Sequence, residues 1–359
     1  MGWSSSVGWS SILAGIVGLG LLMVVHEGGH LLMARAFGMR VTRFSIGFGP
    51  TLWRHQPKQS DTVYQVALIP FLAYVQIAGM NPFEESDADD KGSYANASLI
   101  GRIATIFAGP LANYLFASVF FFFALVIGGR ESPTTEIRTI APNSAAAKAN
   151  LRLGDRVVAI DGKTVADWDR MKSVIVRNPK KLIEIEVVRK GQRIRLPITP
   201  EKDPRGEGKI GISPVSLHSP VGVQEALVDS VVLPARTVQM LVLGLAKAIA
   251  DVATGKGKPE LSGPIGIVGE FSKAAEEGLP YFLTLLGMLS AYIGGFNLIP
   301  FPALDGGRLM FLGYEAVTRR RPEPRLEAQI HMVGLLLLLA VILLVTIGDV
   351  RALVSPRGQ

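Results

Sequence analysis

Residues 103–129 read IATIFAGPLANYLFASVFFFFALVIGG, twenty-seven positions without a single charge. The hydrocarbon core of a bilayer is about 30 Å thick, and a helix crosses it with about 20 apolar residues. This stretch is therefore read as a membrane-spanning helix, and three others share its property. Residues 1–25 carry no charge before His26, residues 278–304 carry none between Glu277 and Asp305, and residues 328–348 carry only His331. The first is not a cleavable signal peptide, because it lacks a basic leading region and ends in His-Glu, not at a small-residue cleavage site. Four such stretches predict an α-helical polytopic membrane protein with four transmembrane helices.

Composition agrees and excludes other classes. Only 19% of the 359 residues are charged, against roughly 25% in an average soluble domain. There is no cysteine, so disulfides, thiolate-bound zinc and a thiol nucleophile are excluded. The net charge is +7, and it is local. Residues 129–218 hold 18 Lys/Arg and 11 Asp/Glu, whereas the rest of the chain holds 19 of each. Such a basic middle segment is either a solvated surface or a face for anionic lipid or an acidic partner. It is not a nucleic-acid-binding tail, and no nucleic-acid partner is expected.

Basic residues in short connections set orientation. Residues 35–102 contain seven and residues 308–325 contain five, against Arg351 and Arg357 at the C-terminal end and none at the N-terminal end. Both short connections are therefore expected in the cytoplasm, with both termini and residues 130–277 outside.

Between the spans, Arg43-Phe-Ser-Ile-Gly-Phe-Gly-Pro50 and Tyr64-Gln-Val-Ala-Leu-Ile-Pro70 read as short strands broken by Gly and Pro. A β-hairpin touching the membrane is expected there. Residues 84–92, EESDADDKG, read as a solvated, mobile linker. Residues 134–200 read as a compact α/β module that binds something and carries no catalytic cluster. Its strands are expected at 136–140, 156–160 and 183–188, with a tight turn at Asp161-Gly162 and short helices at 144–150 and 168–176. Residues 223–253 are apolar but carry Glu225, Asp229, Arg236 and Lys247, with Pro234 inside. They are read as an interfacial amphipathic helix pair, with a fifth span as the alternative.

The chemistry begins at His26-Glu27-Gly28-Gly29-His30. This is HExxH: on a helix, residues i and i+4 share a face, so both imidazoles reach one ion. Zinc is the natural ion for imidazoles in a hydrolytic site. Glu27 lies about 100° round the helix, close enough to take a proton from activated water. The plainer alternative, two histidines at a helix end, conflicts with their place in an apolar span, where ionisable groups are costly. A catalytic zinc needs a third protein ligand. Residues 31–60 offer only His55, and Asp61 is the first acid. Asp305 is the stronger candidate: the first and third spans both run inward, so they end at a similar depth. Equally, Asp305 could cap the helix that follows it.

HEGGH in the first span, Phe107-Ala-Gly-Pro-Leu-Ala-Asn113 in the second and Asn297-Leu-Ile-Pro-Phe-Pro-Ala-Leu-Asp-Gly-Gly307 in the third resemble the site-2 protease family of intramembrane zinc metalloproteases. The order of these motifs, the extracytoplasmic insertion and Ser262-Gly-Pro-Ile-Gly-Ile267 are similar to the bacterial regulator of sigma-E protease branch. The resemblance implies one zinc per chain held by His26, His30 and Asp305, with Glu27 as general base. It implies that Asn297, Pro300 and Pro302 border the substrate cleft, and it matches Asn113 to the family's second-span asparagine. Residues 134–200 resemble the family's inserted PDZ domain, and the run 140–155 matches the family's with Asn150 where glycine is usual. In the hairpin, Leu72-Ala73-Tyr74 stands where the family has Gly-Gly-Tyr, leaving Tyr74 as the matching substrate-side residue.

The organisation read from the sequence is transmembrane helix 1 with HExxH over 1–39 and a cytoplasmic-side, membrane-associated β-hairpin with polar linker over 40–98. Transmembrane helix 2 follows over 99–129, an extracytoplasmic PDZ-like domain over 130–214 and an amphipathic interfacial segment over 215–277. Transmembrane helix 3, with NxxPxxxxDGG, covers 278–307, a basic cytoplasmic loop 308–327 and transmembrane helix 4 328–350. The expected function is hydrolysis of a peptide bond in or near the transmembrane segment of an already shortened membrane protein, such as an anti-sigma factor or a remnant signal peptide, in the bacterial inner membrane. The PDZ-like module would take a peptide or C-terminus. The rivals are a surface-cutting membrane zinc protease, a non-catalytic PDZ scaffold and a zinc transporter.

Overall fold

The computed structural model describes residues 9–81, 89–203, 206–254 and 264–354. They fall into two compact units, one of residues 128–203, 206–222 and 244–254 and one of residues 9–81, 89–127, 223–243 and 264–354.

The larger unit is a helical bundle. Helix α1 covers Trp9–Ala36 and α2 covers Leu99–Gly128. Helix α5 covers Val223–Ala253, α6 Pro264–Glu277 and α7 Leu279–Asn297. Helices α8 and α9 cover Asp305–Thr318 and Pro324–Val354. Among the described residues, five helices, α1, α2, α5, α7 and α9, contain a stretch long and apolar enough to cross a membrane. The fifth is α5. It is one continuous helix with Pro234 inside it, not the helix pair expected. Proline removes one backbone bond, and neighbouring packing compensates inside a bundle. Ala226, Ser230, Pro234 and Thr237 are buried along one face of α5, and the Tyr114 hydroxyl of α2 donates to the Val231 carbonyl at 2.6 Å.

Small residues let these helices approach closely. A Cβ on Gly294 of α7 would stand 2.9 Å from the Pro110 carbonyl oxygen, and one on Gly287 would stand 3.1 Å from the Phe121 ring. The Ser290 hydroxyl donates to the Asn113 carbonyl at 2.8 Å. Rising numbers on α7 thus meet falling numbers on α2, so the two helices are antiparallel. Gly29 of α1 lies against the Ala108 backbone, where a Cβ would overlap the carbonyl, whereas Gly28 faces open space. Leu22, Phe271 and Leu286 form one buried cluster joining α1, α6 and α7.

Where a basic loop was expected over 308–327, residues up to Thr318 are helical. The basic cluster starts at Arg319, where cations complement the carbonyl end of a helix. Arg102, buried in the first turn of α2, is gripped by both carboxylate oxygens of Glu315 on α8. Arg321 also bonds Glu315 and donates to the Ala95 carbonyl. The start of α2 and the end of α8 are tied by this network.

The hairpin strands are longer than expected, β1 at Val41–His55 and β2 at Val63–Ile77. They also fold back on one another. Residues 43–46 pair with 73–76 on one side and with 63–66 on the other, while residues 51–55 pair with 64–67. Among the described residues, no further strand pairs with the outer side of 73–77. Of the expected polar linker, residues 84–88 lie outside the described residues. Asp90 is anchored, taking bonds from Arg40 at 2.6 Å and from the Gly92 N–H at 3.0 Å. Ser262 and Gly263 of the quoted motif also lie outside the described residues.

The smaller unit is an α/β module. It contains strands β3 (Arg130–Ile140), β4 (Arg156–Ile160), β5 (Lys163–Thr164), β6 (Ile183–Arg189) and β7 (Gln192–Ile198), then β8 (Glu201–Lys202), β9 (Gly208–Lys209) and β10 (Ile212–Ser219). Short helices α3 (Ala145–Lys148) and α4 (Trp168–Val176) complete it. The main sheet runs β10-β3-β4-β6-β7, with β5 on β4. Ile183, Ile185 and Val187 of β6 all turn inward, which is the period-two pattern of a half-buried strand. Ser144 and Asp167 cap α3 and α4 through the Ala147 and Arg170 amides. The expected boundary at 214 moves: β10 continues to Ser219, which pairs with Arg130. Its sequence ISPVSLHS lacks clean alternation, so pairing with β3 rather than local pattern defines it.

Asp155 is buried in this module. It accepts two bonds from the Arg189 guanidinium, each 2.7 Å, and one from the Arg152 N–H. Burial pushes its carboxyl upward, but the guanidinium and amide outweigh that and hold it below the ordinary value. A depressed folded value stabilises above the unfolded carboxylate range and is lost as pH falls through the folded one. Asp155→Asn is therefore expected to cost the module roughly 1.5–3 kcal/mol at neutral pH. Denaturant melts of wild type and variant should converge as pH falls through the lowered folded value; a constant difference across pH would contradict the pairing.

Candidate active site

HEGGH sits in the last third of α1, within the apolar stretch Leu13–Ala36. His26 and His30 lie one turn apart, and both are buried. Asp305 is the first residue of α8, while the N-cap position is Leu304, with no side-chain cap bond. Its carboxylate turns instead to the histidines: Oδ2 is 3.1 Å from His26 Nε2 and 3.3 Å from His30 Nε2. The two Nε2 atoms are 3.3 Å apart. Among the described residues this is the group of three His or acidic side chains whose ligand atoms converge, all within 4.8 Å. His55, the other candidate, is exposed on β1 with its ring stacked on Trp53.

The three atoms form a nearly equilateral triangle. Asp305 Oδ2 is buried without a hydrogen bond of acceptable geometry. His30 Nδ1 lies 2.8 Å from the Thr105 carbonyl of α2. A carbonyl only accepts, so Nδ1 carries the proton and Nε2 presents its lone pair. The His30 lone pair and a carboxylate oxygen facing one spot repel unless a cation or a proton sits between them, and among the described residues no partner at the buried His26 Nδ1 fixes the tautomer of that ring. Tetrahedral bonds of about 2.0–2.1 Å to zinc place neighbouring ligand atoms about 3.3–3.4 Å apart, so the donor set fits that ion.

Two neighbours are built around this group. The helix α2 passes so close that a Cβ on Gly109 would overlap the His30 imidazole at Nε2. Glu27 reaches the outer edge of β2, where its Oε2 accepts the Val75 N–H at 3.0 Å. The backbone contacts of Thr105 and Val75 carry no sequence signal. Gly109 carries a weak one, as the glycine of FAGPLAN.

The remaining sequence candidates are dispersed around the group. Asn113 is fully buried on α2, one turn beyond Gly109, with neither amide atom bonded. Asn297 ends α7, its Nδ2 donating to the Ile293 carbonyl. Pro300 is exposed and Pro302 half-buried in the turn before α8. Tyr74 lies on the edge run of β2 beside Val75, its hydroxyl accepting from Gln65 at 3.2 Å.

Residues 14–341 match peptidase family M50. The chain belongs to peptidase family M50. Zinc metalloprotease RasP of Geobacillus kaustophilus is 30% identical to it, over 95% of this chain and 98% of its own length. Regulator of sigma-E protease RseP of Escherichia coli is 28% identical, over 93% and 97%. The M50 match runs from within α1 to within α9 and so includes His26, Glu27, His30 and Asp305. The resemblance stated from the motifs is thus established at family level: the chain is a metalloendopeptidase of the site-2 protease type, with several apolar helices suited to a membrane.

Proposed function

We propose that this chain is a zinc endopeptidase that cuts in or near the transmembrane segment of a previously shortened membrane protein. His26, His30 and Asp305 are its zinc ligands and Glu27 its general base. The convergence of three buried ligand atoms at 3.1–3.3 Å carries this reading. Zinc held there would supply Lewis-acid activation of the scissile carbonyl and of water. Glu27 accepts the proton of the attacking water and delivers it to the departing amine, so the peptide C–N bond is exchanged for an acid and an amine. The Val75 N–H fixes one oxygen of that carboxylate and leaves the other for the proton.

A helical substrate hides its carbonyls in i to i−4 bonds and must unwind to be cut. The outer edge at 73–77 supports strand addition of the unwound segment beside the Glu27–Val75 bond, with Tyr74 on that edge. The unbonded Asn113 amide supports a ligand-binding role, since an orphaned buried amide is costly. Asn297, Pro300 and Pro302 would border the same cleft. Phe48, Leu52, Trp53 and Leu68 are exposed on the hairpin, which supports its contact with lipid. The smaller unit is read as an extracytoplasmic PDZ-like module that selects substrates by a peptide or C-terminus. Asn150 there has φ +59, a conformation asparagine tolerates where the family has glycine.

Four spans, α1, α2, α7 and α9, account for the topology. Since α2 and α7 are antiparallel, an even number of crossings separates them. Counting α5 as a crossing requires a return; among the described residues the helix available for it is α6, whose 14 residues span about 21 Å at 1.5 Å each, short of the 30 Å core. Helices α5 and α6 therefore count as a non-crossing pair. The basic connections support a site towards the cytoplasm of a bacterial inner membrane.

Reconstituted protein given a single-span peptide substrate tests this reading. Cleavage is expected inside the span by mass spectrometry, abolished by chelation and restored by zinc. Products ending only outside the span would favour a surface-cutting protease instead.

A further inference from the structure

Helix α9 is an exposed apolar helix with one ionisable side chain between 328 and 348, His331. Such a group is costly in a membrane unless it has a partner. The partner is a backbone amide: the Ala303 N–H donates to His331 Nδ1 at 2.9 Å. Nδ1 as acceptor puts the ring proton on Nε2, which lies 4.0 Å from a Glu327 carboxylate oxygen. The Phe311 ring of α8 packs 5.7 Å from the imidazole.

Ala303 stands at φ +80, in the left-handed region that a residue with a Cβ disfavours. It lies two residues before Asp305, between α7 and α8, where no helix partner meets its N–H. One turn beyond His331, Gly334 touches the same loop: a Cβ there would overlap Pro302. Helix α9 thus holds the loop at Pro302 and Ala303, and the chain then turns directly into Asp305.

We infer that His331 is a positioning residue whose Nδ1 holds Ala303 in its left-handed conformation and so fixes the approach of Asp305 to His26 and His30. This rests on the reading of Asp305 as a zinc ligand.

The test uses purified full-length protein, zinc affinity measured against a chromogenic chelator, and cleavage kinetics. Asparagine places its Oδ1 where Nδ1 stands and can accept from Ala303; glutamine places its oxygen near Nε2 and cannot; leucine has no acceptor. His331→Gln and His331→Leu are expected to weaken zinc binding by about 10–100-fold, as lost support of a ligand does, and to lower kcat with KM little changed. His331→Asn is expected to stay near wild type. Should the leucine variant not fold, the asparagine–glutamine comparison carries the test, since both are amides differing only in reach. Equal zinc affinity in wild type and His331→Gln, or equal loss in the asparagine and glutamine variants, overturns the inference. Asp305→Asn separates the two layers: zinc binding unchanged in that variant sinks the ligand reading itself, whereas loss there with none in His331→Gln sinks only the role of His331.

Discussion

Glu27→Gln is expected to retain about one zinc per chain and to lose cleavage by on the order of 10²–10⁴-fold, the usual contribution of a positioned general base. The two side chains have nearly the same shape. Glutamine keeps an oxygen that accepts the Val75 N–H, now at 3.0 Å from Glu27 Oε2, so the hairpin edge stays docked on α1. The histidine and aspartate atoms that fit the metal are untouched. What disappears is a carboxylate able to take a proton. Metal content by mass spectrometry and turnover of a transmembrane peptide check both halves. Cleavage equal to wild type would remove Glu27 from the mechanism.

Gly109→Ala is expected to abolish zinc binding and activity together. The added methyl would occupy the place of the His30 imidazole edge. Helix α2 cannot retreat, because it is pinned nearby by the Thr105 carbonyl to His30 Nδ1 bond and by the Gly29 contact at Ala108. The imidazole must leave its rotamer, and with it the point shared with His26 and Asp305. Gly313→Ala on α8, whose added methyl meets nothing within 4 Å, serves as the control and should bind zinc normally. Normal zinc stoichiometry in Gly109→Ala would show that His30 does not need its present place.

The two variants separate what the helices do from what the side chains do. In Glu27→Gln the chemistry fails while the metal site stands. In Gly109→Ala the site fails because two backbones approach too closely to admit one carbon.

Much of the architecture was legible as missing charge. Helices α1, α2, α7 and α9 follow from long runs that no soluble surface would expose. Helix α5 was harder, because Pro234 and five charged side chains resemble a break and an interface, and only packing on α2 and α7 makes it continuous. In the smaller unit β4 and α4 coincide with their local patterns, whereas β10 exists through its pairing with β3. The doubling of the hairpin was equally invisible, since a strand pattern names a buried face but not the strands on either side of it.

The same division holds for the proposed site. By itself, the sequence determined the HExxH pair, because i and i+4 share a helix face whatever the surroundings. It also fixed the absence of thiolate ligands, leaving imidazole and carboxylate. It could not choose between Asp305 as ligand and Asp305 as helix cap, because both roles suit an aspartate at the start of a helix. The tertiary structure decided where that carboxylate points: away from the end of α8 and towards His26 and His30. The physical reason is long-range. Antiparallel α2 and α7 set the depth of Asp305, Gly109 and Thr105 set the ring of His30, and His331 meets the loop from a helix that follows it in sequence. None of those contacts is local, so no window of residues could have contained them.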